Sequence, residues 1–218
     1  MLGNSLRISV LCDIPDSFFL EKIDHFETFF LINNISLKVY RDFTNIPSGG
    51  ILILISSQKI LSRLEILDFE KCIVVHPSKL PNGRGSAAVA NYVLEGRQEI
   101  WVTGFEPNEK LDSGGVYFQD FEKLEGHELL PEIRELQYQL ILKLLLNFLI
   151  NYPVYQISKQ SGESSFYKKR TPLDSQLDIF QSIDSQFNKL RIVDNDRYPA
   201  FFVKNGVKYI LKIEKAFD

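Results

Sequence analysis

The sequence predicts an α/β protein: a mostly parallel, Rossmann-like sheet with helices on both faces, extended by a short C-terminal helix and a β-hairpin. Three observations predict it. Strand-length apolar runs alternate with segments of helical periodicity through the first 76 residues, the pattern of a parallel sheet covered on both sides. Residues 51–55 are branched and apolar at every position, as a strand buried on both faces requires. Near the end, Asn205-Gly206 separates two short strand-like segments, the dipeptide that best turns a two-residue hairpin.

The elements follow in order. Residues 6–12 alternate apolar and polar and predict the first strand. Asp13-Ile14-Pro15-Asp16 makes a turn, and Asp16 or Ser17 is placed to cap a helix. Phe19, Ile23, Phe26 and Phe30 recur at spacings of 4, 3 and 4, one helical face. Residues 36–41 predict a second strand, and Pro47-Ser48-Gly49-Gly50 a turn into 51–55. A short helix is expected over 59–67 and a buried strand over 72–75. A helix over 86–95 and strands over 99–106 and 115–121 follow. The longest helix is 128–151: Ile133, Leu136, Leu140, Leu144 and Phe148 form one stripe, and Pro153 stops it. The polar stretch 156–171, with Lys168-Lys169-Arg170, reads as an exposed connection. A helix near 182–190 and a hairpin of 200–203 with 207–213 complete the chain. Residues 1–155 therefore read as the main domain and 156–218 as a C-terminal extension.

Composition narrows the function. The 218 residues are 44% hydrophobic and 24% charged, with a net charge of −3. No basic footprint for nucleic acid is present, so no nucleic-acid partner is expected. Phe is abundant, at 17 residues, and reads as core filler. Cys12 and Cys72 each fall inside an apolar run and read as buried small hydrophobes rather than a disulfide or zinc site. His25, His76 and His127 lie far apart, which argues against a metal site. His25 reads as a boundary residue, His127 as a cap or packing residue, and Trp101 as core. The apolar stretch 140–150 is too short to span a bilayer, and the N-terminus lacks a signal layout. A cytoplasmic protein without a membrane partner is expected.

Two loops carry candidate chemistry. The first is His76-Pro77-Ser78-Lys79-Leu80-Pro81-Asn82-Gly83-Arg84-Gly85, a Pro/Gly-stiffened loop where a buried strand ends. Ligands of open α/β sheets bind at such strand ends. By itself a His there is more often a structural cap than a catalyst. The second loop runs from Glu106 to Gly115 and is dense in carboxylates and glycines; alone it also reads as a solvated turn.

Together the two loops resemble the folate-dependent formyltransferase family, which includes the phosphoribosylglycinamide, methionyl-tRNA and sugar N-formyltransferases. The family's His-x-Ser-x-Leu-Pro-x-x-x-Gly loop corresponds to residues His76 to Gly85. Its Leu-Asp-x-Gly loop corresponds to Leu111-Asp112-Ser113-Gly114, with Asp112 36 positions after His76. Val93-Leu94-Glu95-Gly96 and Trp101-Val102-Thr103 are also similar to the family. The likeness covers roughly residues 70 to 150. Arg170-Thr171-Pro172, Asp174-Ser175, 190–195 and Tyr198-Pro199-Ala200-Phe201-Phe202 look like the tails of bacterial formyltransferase-like proteins of surface-sugar (O-antigen) synthesis. The tRNA enzyme's further C-terminal barrel is not expected in this chain. The glycine-rich phosphate loop of the glycinamide enzyme is missing after the first strand, where Cys12 to Ser17 contains no glycine.

The resemblance implies transfer of a formyl group from 10-formyltetrahydrofolate to an amine, the favoured acceptor being a nucleotide-linked amino sugar. Acyl transfer of this kind needs a neutral amine, a partner for the developing oxyanion and an acceptor for the departing proton. By resemblance, His76 stabilises the oxyanion or takes the proton, and Asp112 orients it and relays the proton. Val75, Phe105, Glu106, Lys110 and Leu111 are implied on the folate side. Asp13, Ser17, Ser78, Asn82, Arg84, Gly85, Arg170 and Tyr198 are implied on the substrate side, with Arg170 facing a nucleotide phosphate. One departure stands out. The family carries an Asn two positions before the His, and this chain carries Val74. Asn82, Ser78 or a loop N–H could replace its amide. The reaction could otherwise be slow, or lost in a silent binding module. Another small amine such as glycinamide ribonucleotide is the alternative acceptor, and the tail hairpin is a possible homodimer surface.

Overall fold

A computed structural model describes residues 6–108 and 111–216. The chain order is β1 (Ile8–Leu11), α1 (Ile23–Ile32), β2 (Leu37–Tyr40), β3 (Ile51–Ile55), α2 (Arg63–Leu67), β4 (Lys71–His76), β5 (Arg84–Gly85), α3 (Ala88–Leu94), β6 (Glu99–Phe105), β7 (Val116–Lys123), α4 (Leu130–Asn151), β8 (Phe166–Tyr167), α5 (Phe187–Arg191), β9 (Ala200–Lys204) and β10 (Val207–Leu211). The main sheet has the order β2-β1-β3-β4-β6-β7. The first four strands are mutually parallel, whereas β6 is antiparallel to both neighbours. Five strands thus share one direction. The chain between His76 and Glu99 stays at the carboxyl end of β4, so the next neighbouring strand must run back.

The central strand is β3, whose five residues are all buried. Its side chains alternate between the two faces. Ile51, Ile53 and Ile55 meet Phe26 and Phe30 of α1 and the apolar stripe of α4. Leu52 and Leu54 meet Leu61, Phe69 and Cys72 on the other face. Burial pushes the Cys12 thiol to about 11 and the Cys72 thiol to about 12, so both stay protonated packing groups. The helix expected from residue 59 begins instead at Arg63. There Ser62 and Glu65 form a reciprocal capping box, with N–H···O distances of 3.3 and 2.8 Å.

The tail packs onto the sheet domain. Ile192 joins Val93, Ile100, Leu124 and Ile133 in one apolar cluster. Beside it the Arg191 guanidinium donates to the Glu128 carboxylate at 2.9 Å and to the Glu128 carbonyl at 3.0 Å. Both side chains are at least nine-tenths buried. Burial pushes the Glu128 carboxyl up, but the amides of Glu125 and Gly126 and the Arg191 charge outweigh it and hold the group below its ordinary value. The closing hairpin is β9 with β10. Asn205 and Gly206 take φ of 51° and 77° at its tip, as a turn matching strand twist demands.

Two further expectations are corrected. The stretch 156–171 is not merely an exposed connection: its β8 pairs in parallel with β5, Arg84 opposite Phe166 and Gly85 opposite Tyr167. Trp101 is half-buried rather than core. It lies against Phe121 at 4.8 Å and donates to Glu99 at 3.0 Å.

Candidate active site

His76 ends β4 and is 9% exposed. Its Nε2 lies 2.9 Å from the Gly83 carbonyl. A carbonyl only accepts, so Nε2 carries the hydrogen, and Nδ1 is the basic nitrogen of the neutral ring. Asp112 is equally buried. Its Oδ2 accepts the Gly85 N–H at 2.9 Å. One loop therefore holds both groups, through main-chain atoms two residues apart. Glycine is required at both points. Gly83 has φ +81°, and a Cβ there would sit 2.7 Å from the Tyr92 hydroxyl; Gly85 has φ +90°, and a Cβ would meet the Tyr167 carbonyl at 2.4 Å.

The loop is held from several sides. Tyr92 accepts the Lys79 N–H at 3.1 Å and donates to the Asn82 carbonyl at 3.0 Å. Thr103 donates to the Ser78 carbonyl at 2.6 Å, and Gln119 to the Leu80 carbonyl at 3.2 Å. These contacts leave the loop little freedom, which suits a site that must hold groups in register.

A cavity of about 690 Å³ opens beside His76 and Asp112. Of the implied residues, Val75, Phe105, Leu111, Gly85, Arg170 and Tyr198 line it. The other implied residues that the structure describes lie off it. Asp13 binds the Ser57 hydroxyl and the Gln58 amide at 3.0 and 2.8 Å, so its carboxylate is occupied locally. Ser17 caps the turn after it by accepting from the Phe19 amide at 3.1 Å. Ser78 is fully buried. The Asn82 oxygen accepts from Arg97 at 2.8 Å, and Arg84 donates to Gln160 at 2.8 Å. Glu106 faces Lys71 and Tyr117 at 3.5 and 3.0 Å. Lys110 lies outside the described residues. Val74 does line the cavity, so hydrocarbon stands two positions before His76. Neither Ser78 nor Asn82 reaches the cavity to replace the amide.

Sequence reasoning singled out Arg170 but missed the rest of a charged wall. Lys59, Arg134, Lys169, Arg170 and Arg197 line the cavity against Asp16, Asp112 and Asp194. Arg134 and Arg197 share Asp194 at 3.1 and 3.2 Å, and Arg197 also donates to the Asp16 carbonyl. Burial raises the Asp194 carboxyl, but the amides of Arg197 and Asp196 and the Arg134 charge outweigh it and hold the group below its usual range. Neither Lys169 nor Arg170 has a carboxylate at ion-pair distance among the described residues. Arg170 gives one bond, to the Asp174 carbonyl at 3.2 Å. Their signal was the basic run, which a solvated face explains equally well; in the fold Lys169 stays exposed and Arg170 is half-buried at the cavity.

No protein-family model matches the sequence. A methionyl-tRNA formyltransferase of Campylobacter hominis is 30% identical over 158 residues, which are 71% of this chain and 50% of the relative. The chain belongs to the folate-dependent formyltransferase family. It spans about half the length of the curated relatives it matches. Solved formyltransferase structures share its fold. One from Clostridium thermocellum, a methionyl-tRNA formyltransferase, has a TM-score of 0.78 at 17% identity, covering 98% of this chain and 94% of that one. A sugar N-formyltransferase from a Shewanella species has a TM-score of 0.72 at 13% identity, covering 98% and 99%. HypX from Aquifex aeolicus, in complex with tetrahydrofolic acid, has 0.70 at 16%, covering 95% and 37%.

The cavity's apolar walls, Val75, Phe105, Leu54 and Ile141, suit a flat ring system, and its volume falls in the range of small-molecule sites. No helix among the described residues is long and apolar enough to cross a membrane.

Proposed function

We propose that this formyltransferase-family chain moves a formyl group from 10-formyltetrahydrofolate to the amino group of a nucleotide-linked amino sugar. The observation that carries the reading is the pairing of His76 and Asp112 through one loop, at the edge of a cavity with more cations than carboxylates. Bound there, the donor supplies an acyl carbon on a nitrogen leaving group. With Nε2 committed to Gly83, neutral His76 offers Nδ1 as base and takes the proton that the attacking amine must lose. The imidazolium so formed is cationic and becomes a partner for the oxyanion. Asp112 stabilises that cation and relays its proton onward to the departing nitrogen. Val75, Phe105 and Leu111 form the donor's side. Lys169 and Arg170, with no carboxylate at ion-pair distance among the described residues, suit the phosphates of a nucleotide-linked acceptor, and Tyr198 borders them. The sugar N-formyltransferase of similar fold supports this acceptor class. The reading places the protein in the cytoplasm, where nucleotide sugars are made and where its two buried cysteines stay reduced.

One observation favours a second reading. Val74 removes the family's amide from the oxyanion side, as a folate-binding module without turnover would tolerate. Mass spectrometry separates the two readings. The wild type is incubated with 10-formyltetrahydrofolate and a panel of nucleotide amino sugars, with glycinamide ribonucleotide included. The first reading expects a product heavier by one formyl group, absent with His76→Ala and with Asp112→Ala. Folate binding without any product would transfer the case to the binding module. The same samples give the mass in solution, which tests whether the tail hairpin joins two copies.

A further inference from the structure

We infer that the segment 158–167 is a positioning strap for both reacting side chains, and that Gln160 is its principal residue. This rests on the formyl-transfer reading and deepens it.

The strap crosses both loops. Its start pairs with the second loop's exit strand: Ser158 and Val116 exchange N–H···O bonds at 2.8 and 2.9 Å. Its end pairs with the first loop: Arg84 N–H donates to the Ser165 carbonyl at 3.0 Å, and Ser86 N–H to the Tyr167 carbonyl at 3.0 Å. Between them two side chains reach the residues that matter. The Ser165 hydroxyl accepts the Gly83 N–H at 2.8 Å, on the residue whose carbonyl takes the His76 Nε2 hydrogen. Gln160 does more. Its amide nitrogen donates to the Asp112 carbonyl at 2.9 Å and to the Gly114 carbonyl at 3.0 Å, and its oxygen accepts from Arg84 at 2.8 Å.

Asp112 needs such a hold. It sits at φ 50°, a left-handed conformation that a non-glycine residue keeps only where its surroundings fix it. Gly114 is pressed against the Glu106 carbonyl so closely that a Cβ would lie 1.6 Å from it. The turn is tight, and Gln160 spans it from the outside. The carboxylate is set by Gly85 and the main chain by Gln160, and Arg84 ties the two loops through the same side chain. Gln160 and Ser165 are positioning residues: they act through Asp112 and His76.

The test uses the full chain and the acceptor on which the wild type is active. Gln160→Glu keeps the side-chain length and the Arg84 contact but cannot donate to the two carbonyls. Gln160→Ala removes everything, Ser165→Ala removes the Gly83 contact, and Ser165→Thr restores a hydroxyl. Lys159→Ala, exposed beside the site, is the control. Each is measured for kcat, acceptor KM, tetrahydrofolate binding by calorimetry, and melting temperature. We expect kcat to fall about 10–100-fold in Gln160→Glu, the scale of a misplaced reacting group, with KM, folate binding and melting unchanged. Ser165→Ala should fall less and Ser165→Thr should recover. An unchanged kcat in both Gln160 variants overturns the proposal. So does a loss of kcat matched by loss of folate binding and melting temperature in Gln160→Glu, since the strap would then be only a brace. A wild type that transfers nothing to any acceptor overturns the underlying reading, and the strap's catalytic role with it.

Discussion

The loop from His76 to Gly85 and the wall from Lys169 to Tyr198 face the same cavity but are built in opposite ways. In the loop nearly every contact is a main-chain contact: Gly83 and Gly85 hold His76 and Asp112, and Tyr92, Thr103 and Gln119 grip carbonyls and amides. In the wall the side chains do the facing, and neither Lys169 nor Arg170 has a carboxylate at ion-pair distance among the described residues. The difference separates two tasks. Chemistry needs atoms fixed to fractions of an ångström, which main-chain bonding supplies. Recognition of an acceptor needs charge of the right sign, which side chains supply and can vary without disturbing the loop.

The largest expected effect breaks the loop side alone. His76→Ala should lower kcat by about 10²–10⁴, the usual worth of a placed acid–base group, while tetrahydrofolate still binds by calorimetry. If kcat survives, the loop is a binding scaffold and the contrast with the wall disappears. Restoring the family's amide at Val74 sharpens the same point. Val74→Asn should raise kcat if the oxyanion is under-served, since one such donor is worth about 10²–10³ elsewhere.

Much of the architecture was legible in the sequence, for identifiable reasons. Residues 51–55 declared a central strand because burial on both faces leaves no polar position. Asn205-Gly206 declared the hairpin because only certain residues accept positive φ twice in a row. The reversal of β6 was not legible, because strand direction depends on which end of the sheet the connection 77–98 occupies. The pairing of β5 with β8 was hidden as well: two-residue strands have no periodicity, and Arg84 and Phe166 are distant in sequence. In the site, the motif loops and their glycines could be read directly. Side-chain direction could not. Asp13, Ser17, Asn82 and Glu106 carry suitable chemistry, but each is taken up by a neighbour: a turn, a cap, Arg97 and the Lys71–Tyr117 pair. Arg134 and Asp194 went unnoticed because only the fold brings α4 and the tail together.

The next effect tests whether the wall depends on its anchor. Arg191→Ala leaves Glu128 buried without its cation, and breaking a buried pair costs about 3–5 kcal/mol. The melting temperature should drop accordingly. Below the transition, acceptor KM should rise more than donor KM, because Arg191 precedes the wall residues Ile192 and Asp194 and leaves the main loop contacts intact. Equal loss on both sides would make loop and wall one unit.

A smaller effect addresses the wall's charge directly. Arg170→Ala and Lys169→Ala should each raise acceptor KM about tenfold, or ~1.4 kcal/mol, with kcat nearly unchanged. Added salt should raise the wild-type KM and narrow its gap to the variants, because exposed charges are screened over about 10 Å at 0.1 M. An acceptor lacking phosphate should be indifferent to both substitutions.

The smallest effect is read in acid. Asp194 and Glu128 hold their protons less tightly in the folded chain than when unfolded, so the native state gains stability from them above the unfolded carboxylate value, near 4. That gain is lost as pH falls through their lower native values. Between pH 7 and 5 these groups should leave the melting temperature flat; below about 4 it should fall as the wall's anchors protonate. Asp194→Asn should melt lower than wild type at pH 7 and fall less steeply in acid, because one of the titrating anchors is gone. An equally steep fall in the variant would place the acid sensitivity outside the wall, and charge at Asp194 would then matter to the acceptor and not to the fold.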